Sequence, residues 1–302
     1  MTKSPKKSGK KTAGSKTTNR RRTYAVENVR VVSSIPFVGS NFETQFKKGL
    51  GKIAGTYNAN GTDNLGYDLG TLETAVTKAG NDNATLVVAV GGLITGQAAM
   101  NVGTVPFLAL TGGTVNFKDA KSGSFLGGIC LDSYKHNSDR ITNLMNKLSI
   151  LADQICLLYN TNAAMSVTEQ QQFTYSQNAD IDPTNVNNAS AIYTAAFDAI
   201  GQMTDSGGNP PGIQAIIVSA DPFFTQTKEQ LKAVAANYPY YIIYPLKEYK
   251  TGTAPKHRRA TIHAPNDDLP TVYNKLGKKA RAIVTGGSST WDHEGLDNPD
   301  DQ

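Results

Sequence analysis

Ala84-Thr85-Leu86-Val87-Val88-Ala89-Val90-Gly91-Gly92 is a nearly unbroken apolar run closed by two glycines. A strand with one wet face alternates apolar and polar residues. A run without that alternation belongs to a parallel sheet covered by helices on both faces. The signal recurs at Val29–Phe37 (VRVVSSIPF), Val105–Leu110 (VPFLAL), Phe125–Leu131, Gln154–Tyr159 (QICLLY), Ile213–Val218 (IQAIIV) and Tyr240–Tyr244 (YYIIY). Amphipathic segments separate these runs. Asn41–Ile53 places Phe42, Phe46, Leu50 and Ile53 on one helical face, with Asn41 expected as its N-cap. Leu72–Ala79, Asp139–Leu148, Val167–Gln172, Ser190–Gly201 and Thr225–Asn237 also read as helices. So does Leu269–Val284, with Tyr273, Leu276, Ala280 and Ile283 on one face.

Strand–helix alternation, run through twice, predicts an α/β fold of two Rossmann-like lobes. Each lobe is a parallel sheet flanked by crossover helices, and a ligand cleft lies between them. The 302 residues suffice for two such units at roughly 100–200 residues each. The pattern restarts near Phe125. Residues 24–118 plus 251–288 are therefore expected to form lobe 1, and 119–250 lobe 2. Residues 1–23 and 289–302 are expected to be disordered tails, the first basic and the second acidic.

The net charge of +5 comes from the first tail. Nine of the thirty Lys and Arg lie in residues 1–22, which hold no acid; without them 21 basic residues face 25 acidic ones. The basic character thus reports a Lys/Ser/Thr/Gly tract that cannot bury enough apolar surface to order itself, and not a basic binding face. Nucleic acid is a conceivable partner through this tail only, by sequence-independent phosphate contacts. Without aromatics it offers no base stacking.

Cys130 and Cys156 lie inside apolar runs and read as buried, reduced thiols. No stretch approaches the roughly 20 apolar residues of a membrane span, so no membrane insertion is expected. The basic start is not followed by the apolar core of an export signal, which predicts a cytoplasmic protein; a different true start would make it periplasmic.

The ordered set of elements resembles the type I periplasmic-binding-protein fold, and within it the substrate-binding proteins of ABC transporters that take amino acids and other small organic solutes. The resemblance rests on Phe46-Lys47-Lys48-Gly49, on Val87–Gly92, on Val105-Pro106-Phe107-Leu108 and on Leu157-Leu158-Tyr159-Asn160. Ile216–Asp221 and the closing helix Leu269-Pro270-Thr271-Val272-Tyr273-Asn274-Lys275-Leu276-Gly277-Lys278-Lys279-Ala280 complete it. It spans roughly residues 28–287. The chain departs from the pattern in having no export signal, and in Thr111-Gly112-Gly113 where an Asp-Pro is common. The resemblance implies reversible solute binding by closure of two lobes on a hinge, with an ABC permease or a signalling partner.

Ligands of open α/β sheets sit beyond the carboxyl ends of the strands. That rule nominates the loops Ser34–Ser40, Gly91–Gln97, Thr111–Gly113, Asn160–Ala163, Asp221–Phe223 and Tyr244–Lys247. The helix after Gly91-Gly92 offers unpaired backbone amides to a ligand carboxylate, with Thr95 and Gln97 as further donors and Ser34 and Thr111 on neighbouring loops. Asp221 suits a ligand ammonium, Phe223 or Tyr244 an apolar moiety, and Asn160 a polar contact. Each has a plainer reading. Gly91-Gly92 is equally a tight turn, Asp221-Pro222 a helix cap, and Asn160-Thr161-Asn162 turn chemistry. Tyr238, Tyr240, Tyr241 and Tyr244 read as sheet packing before a binding platform.

No catalytic set is expected. The four histidines are scattered, and there is no Gly-x-Ser-x-Gly elbow, Walker loop or G-x-G-x-x-G after the first strand. The sequence is thus read as a binder of a small polar organic solute without cofactor or metal. The alternative is a cytoplasmic sensor or scaffold of the same fold whose basic tail contacts nucleic acid or a partner protein.

Overall fold

The computed structural model describes residues 28–59, 68–112, 124–173, 177–183, 188–205, 207–209, 212–250, 260–262, 267–293 and 300–301. The basic tail lies outside them. Lobe 1 is built from β1 (Val29–Ser33), α1 (Asn41–Leu50), β2 (Tyr57–Ala59), α2 (Leu69–Asn81), β3 (Leu86–Val90), α3 (Leu93–Val102), β4 (Phe107–Thr111) and β5 (Phe125–Cys130). Lobe 2 comprises α4 (Asn137–Leu148), β6 (Ile155–Asn160), α5 (Ala164–Gln172), β7 (Gln177–Ile181), α6 (Ala189–Gly201), β8 (Ala215–Val218), α7 (Pro222–Gln226), α8 (Lys228–Ala235), β9 (Tyr241–Tyr244) and β10 (Ala260–Ile262). The chain then returns to lobe 1 for α9 (Leu269–Val284) and β11 (Trp291–His293), and ends with β12 (Asp300–Asp301).

The sheet orders are β11-β5-β4-β3-β1-β2 and β12-β10-β9-β8-β6-β7. Every pairing is parallel except β10 with β12. The two lobes thus repeat one winding order, and in each the order reverses between two central strands, β1 and β3 in lobe 1, β6 and β8 in lobe 2. The β3 run explains itself here. Leu86, Val88 and Val90 face one helical layer with Phe46, Leu50, Val272 and Leu276, while Val87 and Ala89 face the other with Leu72, Val76, Ala98 and Ala99. Both faces are covered, so no residue of the strand has reason to be polar.

The outer layer of lobe 1 joins the two ends of the chain. Gly49 of α1 and Gly277 of α9 each sit where a Cβ would strike the facing helix backbone, at Asn274 and Phe46 respectively. The glycines let the two helices touch backbone to backbone, which gives the Phe46–Gly49 and Leu269–Ala280 motifs a shared packing role.

Three expectations need correction. β5 pairs with β4, so lobe 2 begins after residue 130 and not at 119. β10 pairs with β9, so lobe 1 does not resume at 251. Trp291–His293, expected in a disordered acidic tail, pairs with β5, and Asp300–Asp301 with β10. The pairing of β5 is a long-range fact; the restart of the pattern near Phe125 reads as a lobe boundary because local sequence carries no sheet order. At a smaller scale, Ser40 and not Asn41 caps α1, accepting from the Glu43 amide. The first crossing between lobes runs from Leu131 through a 3-10 turn at Ser133–His136 into α4. Among the described residues no helix is long and apolar enough to cross a membrane.

Candidate functional site

A cleft of about 290 Å³ opens between the lobes. All six nominated strand-end loops reach it, through Ile35 and Pro36, Gly91 to Ile94, Thr111 and Gly112, Ala163, Asp221 and Pro222, and Leu246. Its walls differ in chemistry. Lobe 1 supplies Ile35, Pro36, Phe42, Ile94, Leu110 and Tyr273, with the Phe42 and Tyr273 rings stacked at 4.9 Å. Lobe 2 supplies Asp221, Thr225, Gln226, Lys228 and Glu248.

The two points where strand order reverses set the polar geometry, as expected for open α/β sheets. In lobe 1 the Ser34 hydroxyl donates to the Gly91 carbonyl, tying the end of β1 to the end of β3. Gly91 and Gly92 hold φ of +92° and +111°, a region that disfavours side chains. A Cβ on Gly91 would strike Ser34, and one on Gly92 would come within 3.3 Å of Pro222 in the opposite lobe. The N-terminus of α3 begins here without a side-chain cap. Its first-turn amides therefore lack intrahelical partners at the cleft wall.

In lobe 2 the equivalent point holds Asn160 and Asp221. Asn160 Nδ2 donates to Asp221 Oδ1 over 3.0 Å, and the same oxygen accepts from the Phe223 amide, so Asp221 caps α7 with Pro222 in its first turn. Asp221 Oδ2 has no hydrogen-bond partner although the residue is only 1% exposed. Burial pushes its carboxyl up to about 6, against the opposing pull of the Asn160 and Phe223 hydrogen bonds. Glu248 also faces the cleft; its Oε1 accepts from the Leu269 amide at the start of α9, and burial raises its carboxyl. Lys228 Nζ donates to the Glu248 carbonyl.

Of the residues nominated from sequence, Gly91, Gly92, Thr111 and Asp221 line the cleft. Ser34 and Asn160 stand one bond behind it, holding Gly91 and Asp221. Four are corrected. Thr95 is buried within α3. Gln97 is turned to Asn101, which bonds Glu73 on the outer face. Phe223 packs on Tyr193 and Phe224 in the core. Tyr244 stacks on Tyr249 at 4.7 Å. Conversely, the cleft takes in Phe42 and Tyr273, which periodicity places only on helix faces, and Leu269, which sequence places only at the start of the closing motif. No signal in sequence separates a helical residue that faces a sheet from one that overhangs a cleft. Thr225, Gln226, Lys228 and Glu248 were missed because they stand on short helices after the strand ends.

No protein-family model matches the sequence, and no curated protein is similar to it. Solved structures do match. An ABC transporter solute binding protein from Agrobacterium vitis with bound allitol aligns at a TM-score of 0.60 and 13% identity, over 90% of this chain and 95% of that one. A glucose-galactose binding protein from Geobacillus stearothermophilus aligns at 0.60 and 12%, over 90% and 96%. A LacI family transcriptional regulator from Enterococcus faecalis with bound ribose aligns at 0.58 and 12%, over 91% and 98%. The chain has the type I periplasmic-binding-protein fold, as the winding of its two sheets requires.

Proposed function

We propose that the protein is a reversible receptor for a small amphipathic organic molecule, held between the lobes and released unchanged. The observation that carries this reading is Asp221, which lines the cleft opposite an apolar wall and whose buried carboxyl keeps one oxygen unpartnered. A buried polar atom left without a partner costs about 1–3 kcal/mol, and a ligand N–H or O–H placed on it recovers that cost. The apolar body of the ligand packs against Phe42, Leu110 and Tyr273. An acceptor group meets the open amides of α3. An amino acid with an apolar side chain satisfies both poles. The structural neighbours with bound allitol and ribose support small-solute binding in this fold. A fully hydroxylated sugar matches the lobe 1 wall less well, because it leaves hydroxyls against hydrocarbon. The reading assigns no catalysis. The two thiols are buried and pushed up to about 12, which opposes thiolate chemistry.

The test is a thermal-shift screen of the full chain against apolar amino acids, primary amines, small carboxylates, sugars and polyols. A ligand at a hundred times its Kd stabilises by about 2.7 kcal/mol. The expected result is a hit lost in Asp221→Ala. No hit in any class, or a hit indifferent to that substitution, overturns the reading.

The resemblance to a transcriptional regulator and the nine basic residues before Thr23 favour a second role, as a sensor whose tail meets nucleic acid. Such binding falls steeply with salt and is lost on deleting residues 1–22. Salt-independent or absent DNA binding leaves transport-type delivery to a permease as the role of the same cleft.

A further inference from the structure

Lobe 2 buries a chain of polar groups that runs from the first crossing to the cleft. Asn137 is the first residue of α4, directly after that crossing, and Arg140 lies one turn on. Arg140 is fully buried and its Nη1 donates to Asn137 Oδ1 over 2.8 Å. Asn137 Nδ2 donates to Glu169 Oε1 of α5, also over 2.8 Å, and Arg140 Nη1 lies 3.9 Å from that same oxygen. The other oxygen of Glu169 accepts from the Ser219 hydroxyl and the Ala220 amide, the two residues that precede Asp221. Ser166 of α5 donates to Ser219 and accepts from the Asn160 amide, whose side chain in turn holds Asp221. Each of these residues is buried except Ala220, which is half-buried at the cleft.

We propose that Asn137, Arg140 and Glu169 are positioning residues of the cleft, which fix the carboxyl end of β8, and Asp221 with it, against the first crossing between the lobes. The inference rests on Asp221 being the ligand-facing group. A buried ion pair is a weak device for stability, since apolar residues of similar volume often serve as well. Here the anion does something an apolar residue cannot: it accepts both donors of the strand end, the buried Ser219 hydroxyl and the Ala220 amide. Arg140 places a buried guanidinium 3.9 Å from the same carboxyl group. Because Asn137 starts at the crossing, a change in the angle between the lobes acts on the same bonds that set Asp221.

The test uses the charge-neutral double variant Arg140→Met/Glu169→Leu in the full chain, because removing Arg140 alone strands a buried carboxylate and Glu169→Gln would keep an oxygen for Ser219 and Ala220. Two readouts need no ligand: amide hydrogen exchange across Ser219–Phe223, and the titration of the Asp221 carboxyl followed by carbon NMR. The groups that bear on this titration are Glu169, Tyr193 and Tyr249. The expected result is a folded protein whose exchange at Ser219–Phe223 speeds at least tenfold. Its Asp221 midpoint moves down, because the Glu169 charge that raises it is gone. A folded variant with both readouts unchanged overturns the proposal and leaves the chain as core packing. If the double variant does not fold, Ser219→Ala removes one link to Glu169 and keeps the ion pair. Faster exchange at the same residues supports the proposal, and unchanged exchange overturns it. A cleft that takes nothing from the ligand panel sinks the receptor reading without altering either readout.

Discussion

Asp221→Asn replaces a buried carboxylate by a neutral isostere at an N-cap, where the two side chains serve equally well. The amide oxygen retains the bonds from Asn160 Nδ2 and the Phe223 amide. What changes is the charge. The wild-type carboxyl stands near 6 against a reference of 3.8, because burial disfavours its ionised form. At about 1.4 kcal/mol per unit, ionising it in the folded protein costs about 3 kcal/mol more than in the unfolded chain. The sign follows from proton binding. Between about pH 4 and 6 the folded state holds the proton while the unfolded state has lost it, so wild-type stability falls as pH rises through that window and levels off above it. The variant has no such group. Its stability relative to wild type therefore rises by about 3 kcal/mol from pH 4 to pH 7.5. The new amide N–H₂ adds a pH-independent penalty of about 1–3 kcal/mol, which shifts the whole curve without bending it. Urea denaturation of both proteins at four pH values across this range checks the prediction. Parallel curves, or a variant that loses ground as pH rises, refute the claim that Asp221 is buried at a cost. A ligand donor bonded to Oδ2 offsets that cost, so the variant that gains stability in the free protein should lose at least tenfold in affinity for any hit from the panel.

The α1–α9 contact is a sensitive packing site: Gly277→Ala drives a methyl into the Phe46 carbonyl and should cost about 3 kcal/mol or more in a urea titration. A loss below 1 kcal/mol would mean the helices stand further apart. Gly92→Ala and Gly286→Ala both place a methyl at positive φ, at about 1–3 kcal/mol of strain. Gly286 has open space around it whereas Gly92 faces Pro222 across the cleft, so only Gly92→Ala should also weaken ligand-induced stabilisation in a thermal-shift assay. Equal effects in that assay would remove the cross-cleft contact from the account. Cys130 and Cys156, buried with thiols pushed up to about 12, should resist a disulfide reagent at pH 8 in the native protein and both react in urea. Rapid native reaction at either would contradict its burial.

The sheets were legible because a doubly covered strand can be read one residue at a time. Leu86–Val90 and Ala215–Val218 need no partner to declare themselves. The edge strands were not legible. β7 is Gln177-Asn178-Ala179-Asp180-Ile181, polar on its open side, and β2, β10 and β11 are three residues each, too short for periodicity. The helix expected over Thr225–Asn237 is two helices, α7 and α8, with Thr227 between them. The Thr227 hydroxyl is spent on the Phe223 carbonyl and on Tyr193, a long-range contact no local pattern announces. Within the site the loops followed from topology, yet the choice of side chain within each loop turned on single-residue alternation. Ser34 points back into its lobe while its neighbour Ile35 faces the cleft, and Asn160 points back while Ala163, three residues on, lines it.

The repeat of one winding order in both lobes makes the difference between their two reversal points informative. The same position is filled in opposite ways. Lobe 1 has glycines there, at backbone angles that exclude a side chain, so its polar offer is bare N–H groups at the start of α3. Lobe 2 has a carboxylate whose near oxygen is saturated and whose far oxygen is not. Gly92 lies against Pro222, the residue after Asp221, so the donor side of one lobe stands beside the acceptor side of the other. The two sides do not satisfy each other, since Asp221 Oδ2 has no partner. A molecule with only an acceptor, or only a donor, engages one lobe and leaves the other polar group buried and unmet. One that carries both, on an apolar body short enough for a cleft of about 290 Å³, removes both penalties at once. On the proposed reading, selectivity in this cleft rests on the spacing of two opposite poles. Capping either pole of a binding molecule, by amidating its acid or acylating its amine, should cost more than trimming its apolar body by one methylene, which is worth roughly 0.8 kcal/mol.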